Sequence, residues 1–308
     1  MIKLFTHQSD PDGIGCAILA ELSYEDVDFS LCKGVQELDK SLLSFLESDV
    51  IEKYEAVYIT DLCPSDELLQ KIDNNTLWKN KVHVFDHHQT GIDEMTKNYS
   101  FVTSIVKKDG LSCCGTSLFY EYILTDKKVP LLESTIMQEF VEMTRLHDTW
   151  EWKGKNDFHA FHLQTLFQLL GSYGYYYHFL EKLRTQKSME YTVQEQNWIE
   201  LQELKNQQLV EELAKHIVVE TYEGYQMGMV FGEYAVRNNL AEYLNEFFSE
   251  LDIMVLFAVD NRSVSFRSLK EHVNVRALAE KYGGGGHESA SSVPLANVEQ
   301  LLLQKVFK

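Results

Sequence analysis

Short runs of β-branched and aromatic residues alternate with amphipathic stretches through the first half of the chain. The runs predict strands, and the stretches, with apolar residues three and four positions apart, predict helices. Strands that alternate with helices favour a parallel sheet with helices on its faces. The predicted strands are 2–6, 27–32, 56–60 and 82–85, and the predicted helices are 15–25, 66–71, 114–122 and 133–146.

A long polar helix is predicted next, because Trp and Leu recur there at helical spacing among Glu, Gln and Lys. Beyond it strands and helices alternate again, so we predict an α/β chain with a second, smaller α/β domain. The predicted segments are an N-terminal domain at 1–187, a helical linker at 188–216 and a C-terminal domain at 217–308. In that last domain, strands are predicted at 217–221, 228–231, 253–259 and 263–267, and helices at 238–251 and 274–282.

Composition and charge narrow the class of protein. The chain has 308 residues, and 28 Lys and Arg against 47 Asp and Glu give a net charge of −19. Proteins that grip duplex nucleic acid carry a basic face, so duplex binding is not expected. No apolar run is long enough for a membrane span. Five cysteines without CxxC spacing predict a reduced, cytoplasmic protein with no structural zinc site.

Acidic residues and histidines gather at four points in the first half, and three of these points follow predicted strands. Open α/β sheets bind their ligands at the carboxyl ends of the strands. So many carboxylates converge only where cations neutralise them. Oxygen and imidazole ligands without thiolate suit Mn²⁺ or Mg²⁺, and less specifically Fe²⁺, Co²⁺ or Zn²⁺. The residues are Asp10, Asp12, Asp61, Asp86, Asp148, His7, His87, His88 and His147.

Each of these points taken alone fits ordinary turn or capping chemistry, because Asp and Gly commonly follow a strand. The triplet Asp86-His87-His88 is harder to explain in that way, since three titratable residues after an apolar strand add nothing to folding. The four points together therefore favour a metal site.

These motifs resemble the DHH phosphoesterase superfamily. The triplet at 86–88 is the one that names the superfamily, and the opening motif at 7–13, the single Asp61 and Asp148 match its other metal motifs in order. The resemblance implies two divalent cations, with Mn²⁺ expected and Mg²⁺ or Co²⁺ as alternatives. The implied ligands are His7 and Asp10 for one cation, Asp12, His87 and Asp148 for the other, and Asp61 as the bridge between them.

The resemblance also implies roles for residues around the cations. His88 faces the scissile phosphate, and Asp86 orients a histidine, as carboxylates behind metal-bound imidazoles commonly do. Thr116 and Ser117 belong to a third motif near the substrate. The opening motif departs from the pattern at one point, because two residues separate its His from its first Asp where several relatives have one or three.

The C-terminal half resembles the companion DHHA1 domain through the segments 264–268 and 274–282 and a run of four glycines before His287. A glycine run alone is usually a flexible turn. In this pattern it favours a phosphate site, because glycines let backbone N–H groups converge on an anion and Arg267 offers a bidentate fork. The substrate residues implied here are Arg267, Gly284, Gly285, Gly286 and His287.

The function implied is metal-dependent hydrolysis of short oligoribonucleotides to 5′-mononucleotides, in a cleft between the two domains, by in-line attack of a hydroxide bridging two cations. The run at 149–152 most resembles the B-type nanoRNases. Short single-stranded RNA or a small nucleotide is therefore the expected partner, and whether the chain forms a homodimer stays open.

Three alternatives remain. Two are enzymes, namely a phosphatase for 3′-phosphoadenosine 5′-phosphate and a phosphodiesterase for cyclic or linear dinucleotides. The third is a nucleotide sensor without activity, which is disfavoured because all six expected metal ligands are present.

Overall fold

The protein, seen here in a computed structural model, divides into two compact units, Met1–Ile199 and Glu200–Lys308. The division falls inside a helix, Val193–Ala214, in the segment predicted as a linker. Among the described residues, no helix is both long and apolar enough to cross a membrane. The described residues are 1–88, 99–155 and 157–298.

In its described residues, the sheet of the first unit has five strands: β1 (Ile2–His7), β2 (Val27–Cys32), β3 (Val57–Thr60), β4 (Val82–Asp86) and β5 (Val102–Ser104). Their order is β2-β1-β3-β4-β5, and every neighbouring pair is parallel. The predicted α/β fold with a parallel sheet is therefore confirmed. The four predicted strands lie within one residue of these bounds, whereas β5 was not predicted.

Successive side chains of a strand point to opposite faces, so the sheet supplies two cores. Leu4 and Tyr58 belong to one buried cluster, and Phe5 and Ile59 belong to the other. Helices cover both faces. They are α1 (Pro11–Ser23), α2 (Val35–Leu46), α3 (Asp66–Asp73), α4 (Thr76–Lys81), α5 (Gly115–Asp126), α6 (Thr135–Asp148), α7 (Glu151–Lys155) and α8 (Phe158–Thr185). A further helix, α9 (Val193–Ala214), begins in this unit and continues into the second.

Smaller elements complete this unit. Helix α8 is kinked at Gly171, whose φ of 67° is not helical. Beside the kink, the hydroxyl of Ser172 donates a hydrogen bond to the carbonyl of Gln8 at 2.9 Å, which ties α8 to the loop after β1. The remaining elements are the ribbon β6 (Lys107–Lys108) and β7 (Leu111–Ser112) and the 3₁₀ helices Asp49–Lys53 and Pro130–Glu133.

In its described residues, the second unit has a mixed six-stranded sheet packed with helices. The strands are β8 (Val218–Tyr222), β9 (Tyr225–Phe231), β10 (Ile253–Ala258), β11 (Ser263–Ser268), β12 (Gly285–Gly286) and β13 (Ala290–Pro294), and the helices are α10 (Arg237–Phe247) and α11 (Val275–Glu280), with a 3₁₀ helix at Tyr234–Val236. The order is β12-β13-β11-β10-β9-β8, and only β9 and β10 pair in parallel. The fully buried β10 lies at its centre.

Two details of this unit differ from the sequence prediction. The predicted strands 217–221 and 228–231 form a single hairpin, in which β8 continues through a tight turn into β9. Glu223 and Gly224 both have positive φ, as a two-residue hairpin of this type requires. The second is β12, because two glycines of the run before His287, where no strand was predicted, pair with β13.

A buried ion pair fastens the start of α9 to α8. The ammonium of Lys182 donates to both carboxylate oxygens of Glu195, at 2.9 and 2.8 Å, and both side chains are 1% exposed. The same carboxylate accepts from the N–H of Thr192 at 2.7 Å and lies 2.7 Å from the Nε2 atom of His178. Burial opposes charge on Glu195, but the hydrogen bonds from His178 and Lys182 outweigh it and lower its pKa to about 2.

We expect Glu195→Gln to lower the free energy of unfolding at pH 7 by about 3 kcal/mol, because it leaves Lys182 buried without its counter-charge. An unfolded Glu has a pKa of about 4.3, so the stabilisation from Glu195 should be complete above that pH and lost as the pH falls toward 2. Urea unfolding measured across this range tests both points. The matched control is Glu200→Gln, at an exposed position of the same helix. An unchanged difference between wild type and E195Q down to pH 2 would contradict the linkage.

Candidate active site

The first group of candidate ligands lies at the end of β1. Asp10 caps α1, since one carboxylate oxygen accepts from the N–H of Gly13 at 3.0 Å. Its other oxygen lies 2.6 Å from the Nδ1 atom of His7, and the same nitrogen lies 3.5 Å from a carboxylate oxygen of Asp61. Burial lowers the pKa of His7, but Asp10 and Asp61 outweigh it and raise that pKa overall. These three residues form one candidate metal cluster.

Asp12 is fixed by the N-terminus of α5. The N–H groups of Gly115 and Thr116 donate to its two carboxylate oxygens at 2.6 and 2.7 Å, and the Thr116 hydroxyl donates to its backbone carbonyl at 2.7 Å. The positive end of the helix dipole favours a carboxylate here. Burial and the charges of Asp61 and Asp148 nevertheless raise the pKa of Asp12. This contact places α5 against α1 across about a hundred residues of sequence.

Asp61 lies between the two groups of ligands. It follows β3 with a φ of 57°, a left-handed conformation that Asp tolerates better than most residues. One carboxylate oxygen lies 3.2 Å from the Nε2 atom of His87 and the other 3.5 Å from the Nδ1 atom of His7. Burial opposes the charge, but the two nearby histidines outweigh it and lower the pKa of Asp61.

The second group surrounds His87. Its Nε2 atom lies 3.4 Å from Asp148, the last residue of α6, and 3.7 Å from Asp12. His87, Asp12 and Asp148 form another candidate metal cluster. Burial raises the pKa of Asp148 to about 6; the charges of Asp61 and Asp10 act in the same direction, and His87 opposes them. The structure therefore brings together all six predicted ligands, with Asp61 facing both groups.

Asp86 and His88 lie beside these ligands. Asp86 is buried, and one of its carboxylate oxygens lies 2.8 Å from the Nδ1 atom of His88, whose ring is partly exposed. Burial opposes charge on His88, but Asp86 outweighs it and raises its pKa to about 9. The carboxylate thus orients this imidazole, and Asp61, His87 and His88 are also close enough to form a third candidate cluster.

The donor atoms fit hard divalent cations. Buried carboxylate oxygens of Asp61 and Asp148 have no hydrogen-bond donor among the described residues, and a cation would satisfy them. The nearby thiols of Cys16 and Cys114 are buried, which raises their pKa values and keeps them from acting as thiolate ligands. Carboxylate and imidazole without thiolate is a ligand set for Mn²⁺, Mg²⁺ or a similar ion.

Thr116 and Ser117, predicted to lie near the substrate, make contacts within the protein. Thr116 is fully buried and holds Asp12. The Ser117 hydroxyl and the backbone of Cys114 exchange hydrogen bonds of 2.9 and 3.0 Å at the start of α5. Both residues therefore support the acidic centre through the helix that they begin.

In the second unit, Arg267 lies on β11 and is held in place by two bonds. Its Nε atom donates to the Asn238 side chain at 3.0 Å, and an Nη atom donates to the carbonyl of Phe266 at 3.0 Å. Burial and the charge of Arg237 lower the pKa of Arg267 to about 10. Arg237 stacks on Tyr234, 3.8 Å from the ring centre, and its buried Nε atom has no hydrogen-bond acceptor among the described residues.

These two arginines suit an anion, because no carboxylate lies within 4.0 Å of either guanidinium in the part of the chain that the structure describes. Arg237 was not predicted from the sequence. Its only signal there is its place just before the predicted helix 238–251.

Part of the glycine run is bonded within the protein. The N–H of Gly284 donates to the Ala279 carbonyl at 3.0 Å, and that of His287 donates to the Ala290 carbonyl at 2.7 Å. A Cβ atom on Gly284 would lie 2.1 Å from the carbonyl oxygen of Ser292, so close packing on β13 requires glycine there. Substrate contact by Gly285, Gly286 and the exposed His287 stays a prediction.

Comparisons with known proteins agree with this description, although no family model matches the chain. It is 26% identical over 311 residues to the oligoribonuclease NrnB of Bacillus subtilis, across 100% of this chain and 76% of that protein. Among solved structures, it resembles the DHH domain of a member of a ribosomal protein family, with a TM-score of 0.63, 15% identity, and coverage of 100% of this chain and 86% of that one. It also resembles the exonuclease RecJ bound to manganese, with a TM-score of 0.51, 16% identity, and coverage of 97% and 89%.

The predicted resemblance is confirmed: the chain has the fold of DHH-domain structures and is similar in sequence to an oligoribonuclease. The likeness to NrnB spans the whole chain and about three quarters of that protein.

We expect Gly115→Ala to weaken Mn²⁺ binding at least tenfold. A Cβ atom at this position would lie 2.7 Å from the Cβ atom of Asp61 and 3.0 Å from an oxygen of Asp12, so the two carboxylates must move apart. Isothermal titration calorimetry with Mn²⁺ measures the loss. Gly154→Ala is the control, because nothing lies within 4 Å of the added atom and Ala favours a helix. Equal Mn²⁺ affinity in G115A and wild type would show that these carboxylates do not hold the ion.

Proposed function

We propose that the protein is a manganese-dependent phosphodiesterase that hydrolyses short oligoribonucleotides to 5′-mononucleotides. The observation that carries the proposal is the position of Asp61, with one carboxylate oxygen facing His7 and the other facing His87. The similarity to the oligoribonuclease NrnB supports the substrate class.

The proposed ligands are His7, Asp10 and Asp61 for one cation and Asp12, His87, Asp148 and Asp61 for the other. When bound, divalent cations supply an activated water and neutralise phosphate charge. Mn²⁺ is proposed over Mg²⁺ because the set mixes carboxylates with imidazoles, and Co²⁺ is the alternative that such a set also accepts.

The chain's own residues have two tasks at this centre. The N-terminus of α5 fixes Asp12. Its carboxylate is therefore already in place before the substrate reacts, and no free energy is spent on ordering it during the reaction. His88, oriented by Asp86, has its second ring nitrogen left to donate to a phosphate oxygen. That donation strengthens as charge develops on the oxygen, so His88 is the proposed catalytic residue.

In the second unit, Arg267 and Arg237 are proposed to bind one phosphate of the substrate. Asn238 holds the guanidinium of Arg267, and the guanidinium of Arg237 has no carboxylate partner among the described residues. Together they form a compact anion site. The net charge of −19 leaves no basic track for a polymer. Affinity therefore comes from a few local contacts, which favours substrates of a few nucleotides.

We expect hydrolysis of RNAs of about two to five nucleotides with Mn²⁺, and much slower attack on long or duplex RNA. Few phosphate contacts also predict a shallow dependence of log K on log salt, with a slope of about one to three. Rates on an RNA of about five nucleotides and one of about fifty, measured side by side, test the length dependence.

Equal rates on the two RNAs, or a salt slope steeper than about six, would indicate an enzyme that tracks polymers. Activity confined to 3′-phosphoadenosine 5′-phosphate or to cyclic dinucleotides would replace the proposal by the corresponding alternative. Absence of hydrolysis of every substrate, with Mn²⁺ still bound, would support a nucleotide sensor.

We expect Arg267→Ala and Arg237→Ala each to raise KM about tenfold or more and leave kcat and manganese content close to wild type. The loss of a charge-assisted hydrogen bond has this magnitude, and a contact made equally in the ground and transition states affects KM alone. Steady-state kinetics on a short RNA and metal analysis of the same samples measure these quantities. Arg276→Ala, whose side chain is exposed and paired with Glu280, is the control. Loss of manganese in R267A would contradict this separation of roles.

A further inference from the structure

Trp150 has a backbone conformation that is costly for an aromatic residue. Its φ is 62°, in the left-handed region, where a bulky side chain is a true outlier. The conformation is held from both sides. The N–H of Thr149 donates to the Arg145 carbonyl at 3.0 Å, and Glu151 pairs with Arg145 at 3.0 Å. Strain that the surroundings fix in this way commonly marks a functional position.

The two neighbouring tryptophans differ in burial. Trp152 is 8% exposed and packs on Phe161, with ring centres 4.7 Å apart. Trp150 is 45% exposed, with its ring centre 6.4 Å from that of Trp152. The strained backbone therefore presents one indole to solvent next to a second indole anchored in the core.

The position and charge of this indole indicate what it binds. Trp150 lies two residues after Asp148, so their Cα atoms are at most about 7.6 Å apart. The ammonium of Lys153 lies 4.7 Å from the Trp150 ring centre. An aromatic face beside a cation and a metal ligand fits an anionic ligand with a flat ring, which describes a nucleotide. A purely apolar protein segment would meet the charge of Lys153 over the ring.

We propose that Trp150 is the stacking platform for a nucleobase of the substrate whose phosphodiester lies at the acidic centre. This inference rests on the proposed function and adds the residue that recognises the base. Stacking accepts any base, because every base has a π-face. It therefore suits an enzyme that degrades short RNAs of any sequence.

The test compares a ribodinucleotide with the same phosphodiester in which one or the other nucleotide is abasic, using wild type, W150F, W150A and Y177A. Tyr177 is the control, an aromatic residue on α8 that is 65% exposed. Stacking is worth about 1–3 kcal/mol per base, so W150A should lose about 5- to 150-fold in kcat/KM on the dinucleotide, mainly through KM. W150F and Y177A should stay within a few-fold of wild type. On the dinucleotide that lacks the stacked base, W150A and wild type should be equal.

The outcomes separate this inference from the proposed function. Wild type that cleaves none of these substrates contradicts the proposed function. Two other outcomes overturn the inference alone. In the first, wild type and W150A are equally active on the dinucleotide. In the second, wild type is active and W150A is impaired to the same extent on both abasic substrates.

A stability measurement distinguishes a platform from a structural tryptophan. Glycine adopts positive φ without strain whereas alanine does not, so W150G should melt at a higher temperature than W150A and no lower than wild type. Its kcat/KM should nevertheless fall as far as that of W150A. Equal and large drops in Tm for both variants would show that the indole holds the fold together and would overturn the proposal.

Discussion

The convergence of carboxylates at the ends of β1 and β3 is the constraint on which the first unit depends. Like charges at this spacing repel, and burial strengthens the repulsion. Part of it is relieved within the chain, since His7 and His87 lie between the carboxylates and the N-terminus of α5 binds Asp12. The oxygens of Asp61 and Asp148 that no donor among the described residues satisfies leave the remainder to cations. The cations that the site is proposed to bind would therefore also stabilise the arrangement of its carboxylates.

This arrangement requires a backbone that cannot relax. Asp61 keeps its left-handed conformation because its N–H donates to the Phe85 carbonyl at 2.9 Å and because Gly115 leaves space beside its Cβ atom. Strain of this kind persists only where the surroundings over-determine it. The buried cores on the two faces of the sheet provide that rigidity. The packing of the two cores therefore also fixes the positions of the candidate metal ligands in this unit.

The sequence predicted what depends on local pattern. Parallel strands buried on both faces are rich in apolar residues, so β1, β3 and β4 were predictable. The rule that ligands lie at strand ends brought His7, Asp61 and His87 together. Contacts made by tertiary packing were not predictable. The bonds from α5 to Asp12, the pairing of Gly285 and Gly286 in β12, and the approach of Arg237 to Arg267 have no periodic signal. In each case the residue type is visible in the sequence, and only the fold assigns its partner.

An acidic protein that acts on an anionic substrate faces a conflict, because the field that retains its cations repels the ligand. Each added arginine would ease the approach of phosphate and also weaken the hold on cations nearby. Base stacking has no such cost, since a neutral ring neither opposes the carboxylates nor depends on salt. Trp150 lies near Asp148, where that field is strong, whereas Arg267 and Arg237 belong to the other unit. The proposed recognition uses a neutral ring near the acidic centre and guanidinium groups in the other unit. It therefore allows the site to retain cations and still bind an anionic substrate. A shallow salt dependence and a base-dependent affinity are therefore expected together, as two consequences of the same charge distribution.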